Sequence, residues 1–332
     1  MKTLIIAEVG VNHNGDIDTA KKLIDVASES DADVVKFQTF NAESLVTNEA
    51  PKAKYQIDNT KNQNSQLEML KELELSKETF KDLSEYCQGK DIEFLSTGFD
   101  KESIKFLVDI GIKRVKIPSG EINNLPLLKY ISTLGLPIII STGMSYLSEV
   151  KETFDYFLNQ GVQKDQITLL HCTSEYPASI DSVNMKAMIR MRDEFNVNVG
   201  YSDHTLNIET PIAAVAMGAV VIEKHFTLSR SMNGPDHAAS LEPNELADMI
   251  VSIKNTEVLL GSDEKKPTAE EKENIKVARK SIVASKDILV GKVIEESDID
   301  TKRPGDGISP MKWESIVGSV AKRSYKKNDQ IT

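Results

Sequence analysis

The sequence predicts an α/β protein, a (β/α)8 TIM barrel followed by a small β-rich domain at the carboxyl end. Three observations predict it. Short β-rich runs alternate with stretches of helical spacing, eight times over roughly 250 residues. Each run ends in polar or ionisable residues, as the carboxyl-terminal rim of a barrel requires. From about residue 261 the alternation gives way to short runs broken by glycine and proline.

The β-rich runs are 3–10, 33–40, 93–99, 114–120, 137–143, 167–173, 197–204 and 220–227. Between them, 18–30 places Ala20, Leu23, Ile24 and Ala27 on one helical face, and 77–90, 101–111 and 148–161 show helical spacing too. No Gly-x-Gly-x-x-Gly follows any strand, so a dinucleotide-binding sheet loses support. The strand ends carry Glu8; Lys36 and Gln38; Ser96 and Thr97; Lys116 and Ser119; Ser141 and Thr142; His171 and Thr173; Ser202, Asp203 and His204; Glu223 and His225. Segment 41–66, rich in Asn, Lys and Gln, is long for a connection in a compact domain and reads as functional. The expected organisation is a barrel over 1–262, a charged linker over 263–278 that opens a short helix, and a domain over 279–332. A core that small usually leans on a neighbour.

Composition narrows the function. With 40% hydrophobic and 27% charged residues the 332-residue chain is not disordered. Fifty-one acidic against 40 basic residues give a net charge of −11, which argues against a nucleic-acid or anionic-membrane surface. Any anionic substrate must then meet locally placed cations. Cys87 and Cys172 are the only cysteines, too few for a disulfide framework or a four-thiolate zinc site. The longest apolar run, 212–222, is too short to span a bilayer, and 4–7 is too short for a signal-peptide core. A soluble cytoplasmic enzyme is expected.

Two constellations carry chemistry. His204 and His225 end neighbouring strands about 4.8 Å apart, close enough to share a divalent ion beside Glu8; each also reads as a hydrogen-bonded structural histidine. Lys36 and Lys116 lie inside strands that face a barrel mouth, where a buried ammonium needs an anion. With Ser119, Ser141 and Thr142 they form a phosphate or carboxylate cradle; a Schiff-base lysine and surface snorkelling are the competing readings. Asn233-Gly-Pro-Asp-His237 and Lys302-Arg-Pro-Gly-Asp-Gly307 are turn-rich segments with polar tips.

Taken together, Ala7-Glu-Val-Gly-Val-Asn-His-Asn-Gly15, Val35-Lys-Phe-Gln-Thr39, Lys116-Ile-Pro-Ser-Gly-Glu121, Ser141-Thr-Gly-Met144, His171-Cys-Thr-Ser-Glu-Tyr-Pro177, Ser202-Asp-His-Thr205, Glu223-Lys-His-Phe-Thr227, Gly234-Pro-Asp236 and Lys302-Arg-Pro-Gly305 resemble the sialic acid synthase family. The resemblance runs through the whole chain. It implies a phosphoenolpyruvate-condensing barrel with a carboxyl-terminal antifreeze-like (SAF) domain, and an N-acetylated amino sugar as acceptor. It further implies that His204 and His225 bind a divalent metal, Mn²⁺ foremost with Mg²⁺ or Co²⁺ as alternatives, and that Glu8 sits beside it. Lys36, Gln38, Lys116, Ser119, Ser141, Ser174 and Tyr176 match positions that hold phosphoenolpyruvate; the family varies at Ser174. Asp236 and a position near Asn59 match sugar contacts. Arg303 matches an arginine delivered to the partner's barrel, which implies a domain-exchanged homodimer. Gly98 stands where the family usually has proline, and a looser exit from the third strand is expected.

Segments 50–60 and 305–311 resemble those of bacterial N-acetylneuraminate synthases, which implies N-acetylmannosamine as acceptor and N-acetylneuraminate as product; legionaminate synthases are similar throughout, and the alternative is 2,4-diacetamido-2,4,6-trideoxymannose, giving N,N'-diacetyllegionaminate. The rivals are a related keto-sugar-acid synthase, a Schiff-base aldolase and a non-enzymatic sugar- or ice-binding protein.

Overall fold

The computed structural model describes residues 2–60 and 64–332. The chain divides into two compact units, Met1–Gly261 and Ser262–Thr332. In the first, eight parallel strands alternate with helices: β1 (Leu4–Gly10), β2 (Val34–Thr39), β3 (Glu93–Gly98), β4 (Val115–Ile117), β5 (Ile138–Ser141), β6 (Ile167–Cys172), β7 (Asn198–Asp203) and β8 (Val221–His225). Hydrogen bonding orders them β3-β2-β1-β8-β7-β6-β5-β4, and β3 lies beside β4. The sheet therefore closes on itself as the expected (β/α)8 barrel.

Helix α1 (Ile17–Glu29) follows β1 and begins where Asp16 accepts from the Thr19 N–H. It buries Ala20, Leu23, Ile24 and Ala27, the face read from their spacing. The long connection from β2 to β3 is not a bare loop: it carries α2 (Ala42–Leu45), α3 (Lys54–Thr60), α4 (Gln66–Leu73) and α5 (Lys77–Gly89). Ser65 and Glu68 close a capping box at the start of α4. One helix follows each of the next five strands: α6 (Lys101–Asp109), α7 (Leu125–Ile131), α8 (Leu147–Asn159), α9 (Lys186–Phe195) and α10 (Glu209–Ala216). Helix α11 (Pro243–Leu260) follows β8, and among the described residues no helix is long and apolar enough to cross a membrane. Strand β4 is shorter than its run because Pro118 has no N–H to extend the ladder, and the chain turns through Ser119–Glu121.

Side chains alternate along each strand, and this builds the barrel interior in layers. Ile6, Val34, Leu95, Ile139, Leu170 and Val221 form an apolar cluster inside it. Two residues further along the same strands stand Glu8, Lys36, Thr97, Ser141, Cys172 and Glu223. The apolar layer is thus a floor, and the polar layer above it faces the rim.

Gly98 departs from expectation. A Cβ there would stand 2.7 Å from Ile104 Cγ1, so the bare glycine lets α6 close tightly on the end of β3 rather than loosening it.

The second unit has its own small core of Ile282, Ala284, Ile288, Ile294, Ile299, Ala321, Tyr325 and Ile331. It comprises α12 (Ala269–Ala278), an antiparallel pair of β9 (Ser281–Ala284) and β10 (Ile299–Lys302), and α13 (Trp313–Ile316). The Gly305 N–H donates to the Lys276 carbonyl at 2.8 Å, so much of the segment read as a linker is structured and belongs to this unit. Asp298 is fully buried between the ammoniums of Lys286 and Lys292, which hold its carboxyl well below the usual range despite burial.

Candidate active site

Register sets the site. Glu8 on β1 pairs with Lys36 on β2 and with His225 on β8, so these three side chains share one level. Ser202 on β7 pairs with Glu223 on β8. Between Glu8 and Gly10 the β1–β2 ladder shifts, and Gly10 takes φ +55°. A Cβ at Gly10 would lie 3.2 Å from the His225 ring and 3.3 Å from the Gln38 amide, so glycine makes room for both.

A cavity of about 390 Å³ opens at the carboxyl ends of the strands. Of the predicted residues, Glu8, Lys36, Gln38, Lys116, Ser119, Ser141, Ser174, Tyr176, His204 and His225 line it. Its floor holds two lysines and two carboxylates, all nearly inaccessible. Lys36 Nζ lies 2.8 Å from Glu8, 3.5 Å from Glu223, and donates to Thr97 at 3.0 Å. Lys116 Nζ donates to Ser141 Oγ at 2.8 Å and lies 3.6 Å from Glu223, which also accepts from Ser202 Oγ at 2.9 Å.

The protonation states follow from these neighbours. Burial and the adjacent Glu223 charge raise the Glu8 carboxyl to about 7, against the pull of Lys36. Burial would raise Glu223 as well, but Lys116, Lys36 and the Ser202 hydroxyl bring it down to about 2. Lys36 stays above its ordinary value because Glu223 and Glu8 outweigh its burial, whereas burial pushes Lys116 down. Lys116 is the less committed cation, and it stands beside a ring of hydroxyls. Ser119 Oγ accepts from the Gly143 N–H at 2.9 Å, and a Cβ on Gly143 would collide with Ser174 Oγ. Cation, hydroxyls and bare backbone stand together here, a grouping chemically able to take an anion.

The two histidines are brought together, their ring centroids 5.5 Å apart. His204 Nδ1 donates to the Thr173 carbonyl at 2.7 Å, which leaves Nε2 as the nitrogen free to meet a ligand. His225 Nδ1 is buried without a partner, and burial with the nearby charges of His204 and Lys36 keeps this ring neutral. His225 presents a neutral ring, whereas the neighbouring Cys172 and the Thr173 carbonyl hold His204 above its ordinary value against its burial, so a divalent ion shared by the two rings, its other positions going to water and substrate, would displace a proton from His204. Among the described residues no group of three His, Cys, Asp or Glu side chains converges to hold an ion. Tyr176 packs over both rings, 4.0 Å from His204 and edge-on to His225.

Three predicted residues do not line the cavity. Asp236 is buried, close enough to His204 to feel its charge, and burial raises its carboxyl to about 6. Asn59 Nδ2 donates to the Pro235 carbonyl at 2.6 Å, next to Asp236. Arg303 lies in the second unit, its Nε donating to the Ala278 carbonyl at 3.0 Å.

Among the lining residues not predicted as site residues are Ser202 and Glu223, noted in the sequence only as polar strand ends, and Cys172 and Tyr55. The first two stand two positions before His204 and His225, so strand alternation points all four side chains the same way. Cys172 Sγ lies 3.8 Å from His204 Nδ1. Tyr55, on α3, stacks on Tyr176 at 4.9 Å, and nothing in its polar surroundings in the sequence signals this.

Known proteins match this architecture along the whole chain. The model of the NeuB family matches residues 23–265, and that of the SAF domain matches 279–332. An N,N'-diacetyllegionaminic acid synthase of Campylobacter jejuni is 50% identical over 330 residues, 99% of both chains. One from Legionella pneumophila is 51% identical over 96% of this chain and 90% of its own. The crystal structure of an N-acetylneuraminic acid synthetase from Leptospira borgpetersenii superposes with a TM-score of 0.74 at 34% identity, covering 83% of this chain and 90% of that one. With its barrel and its small domain both matched in order, the chain belongs to the NeuB family.

Proposed function

We propose that this protein joins phosphoenolpyruvate to the aldehyde of 2,4-diacetamido-2,4,6-trideoxymannose, with water, to give N,N'-diacetyllegionaminate and phosphate. The observation that carries the acceptor is the 50–51% identity, over nearly full length, to two synthases named for that product. It replaces N-acetylmannosamine, the acceptor favoured by two short segments of sequence. N-Acetylneuraminate synthesis stays as the second reading, supported by the 34% identical structural neighbour.

The cavity supplies what the reaction needs. The enol carbon of phosphoenolpyruvate attacks the aldehyde carbon, water adds to the carbon bearing phosphate, and the phosphate leaves. In this reading Lys36, Lys116, Ser119, Ser141 and Ser174 hold the phosphate and carboxylate, with Gln38 and Tyr176 closing the sides. Glu8, raised to about 7, holds its proton in a substantial fraction of molecules at neutral pH and delivers it to the alkoxide that develops from the aldehyde. His204 and His225 would hold a divalent ion, Mn²⁺ foremost, which supplies Lewis-acid polarisation of an oxygen when bound. Asp236 orients the acceptor sugar. Arg303 reaches the barrel of a second copy, so that the working enzyme is a domain-exchanged homodimer.

Purified protein assayed with phosphoenolpyruvate and each acceptor tests this. The diacetamido sugar should show a kcat/KM at least about tenfold above N-acetylmannosamine, within the range that a few pocket contacts achieve. Equal or higher efficiency with N-acetylmannosamine would overturn the acceptor assignment. The cradle has a separate test. Lys116→Met keeps the stem and removes the charge. Loss of a charge-assisted hydrogen bond, about 1.5–3 kcal/mol, should raise the KM for phosphoenolpyruvate roughly ten- to hundredfold while the sugar KM moves little. Parallel losses for both substrates would place Lys116 outside the cradle.

A further inference from the structure

The segment after β8 that carries Asp236 is held by the loop after β1, at the far end of the sequence. Among the described residues no donor meets the Asp236 carboxyl, so its position is set by the backbone that bears it. That backbone is tied on both sides. Asn14 Nδ2 donates to the Asn233 carbonyl at 2.9 Å, and Asn14 Oδ1 accepts from His237 Nε2 at 3.1 Å. The other nitrogen of His237 meets the Thr227 hydroxyl at 2.6 Å. Asn12 Nδ2 donates to the Phe226 carbonyl at 2.8 Å and to Ser240 Oγ at 2.9 Å. Ser240 Oγ in turn donates to the carbonyl of Asp236 itself at 2.7 Å. Gly234 sits at φ +152°, where a Cβ would stand 2.6 Å from the His237 ring and 2.8 Å from Asn14 Oδ1. The turn is therefore closed onto Asn14 and His237 with no room to shift.

We propose that Asn14, with His237 and Asn12, is a positioning residue for the acceptor sugar, acting through the placement of Asp236. The proposal rests on the reading above that Asp236 orients the acceptor. None of the three positioning residues lines the cavity that holds the lysines, the hydroxyls and the histidines. Their loss should therefore reach one substrate and spare the other.

Asn14 has φ +53°, so glycine removes both of its hydrogen bonds without adding backbone strain. With the better of the two acceptors, Asn14→Gly should raise the sugar KM about tenfold, the combined worth of two modest hydrogen bonds, one to the exposed Asn233 carbonyl and one to the His237 ring. The phosphoenolpyruvate KM and kcat should stay within about twofold. Asn14→Asp tolerates the same φ and keeps the acceptor for His237, so it should recover part of the loss and serves where the glycine variant folds poorly. In an Asp236→Asn background, Asn14→Gly should add less than about twofold. Four results overturn the proposal. They are a parallel rise in both KM values, no change in the sugar KM, an undiminished Asn14→Gly effect in the Asp236→Asn background, and an Asp236→Asn variant with normal sugar KM. The last alone also removes Asp236 from acceptor binding. A silent Asn14→Gly beside a damaging Asp236→Asn refutes the tether and leaves that role of Asp236 intact.

Discussion

Replacing Glu8 with glutamine is expected to lower kcat about 100- to 10,000-fold, the range for loss of a positioned proton donor. Glutamine keeps the shape and the hydrogen bond from Gln38 but cannot give up a proton. The pH profile carries the sign. Burial and Glu223 raise the Glu8 carboxyl to about 7, and an arriving phosphate anion pushes in the same direction. On the proposed role as proton donor the protonated form is the active one, so the parent's rate should fall as pH climbs through and above that value. In the variant the residual rate should lose that alkaline limb. A glutamine variant within fivefold of the parent, or one with the limb unchanged, would take Glu8 out of the chemistry. Melting temperature measured alongside excludes simple misfolding.

The second large effect concerns folding. Lys224 lies between Glu223 and His225 in sequence, yet it points the opposite way, out of the barrel. Its ammonium is fully buried, 2.5 Å from Asp203 and 3.1 Å from the Asn207 carbonyl, with the Thr205 carbonyl also in contact. Lys224→Ala strands the Asp203 carboxylate in an interior with no counter-charge, a change worth about 3–5 kcal/mol. For a unit of this size the melting temperature should drop by roughly 10 °C, readable by calorimetry on the full chain. Replacing the pair together, as Lys224→Met with Asp203→Leu, should recover much of that loss, because no charge is then left alone. A single variant that melts within about 2 °C of the parent would show the pair to be dispensable. kcat per folded molecule in Lys224→Ala separates this role from the site one residue away.

How much of this was readable in the chain differs from element to element. The barrel and its rim were readable because both arise from local repetition. Strand alternation puts Ile6 below Glu8, Val34 below Lys36 and Val221 below Glu223, and each helical face repeats within one window. The paired histidines were readable for the same reason, each closing its own strand. Segment 41–66 was not, because its α3 buries none of its own side chains and so shows no apolar period, although Tyr55 reaches Tyr176 from it. The same holds for the acceptor, since discrimination between two amino sugars rests on a few contacts in loops. Charge partnership lay furthest from view. Lys36 meets Glu8 across 28 positions, and Lys116 meets Glu223 across 107. Such pairs exist because β1 lies between β2 and β8, and because the closed barrel brings the strand ends round to face one another. The amino-acid order sets which side chains each strand turns inward, while closure of the barrel sets which of them meet, because only closure brings charges from distant strands within a few ångströms of one another in a dry interior.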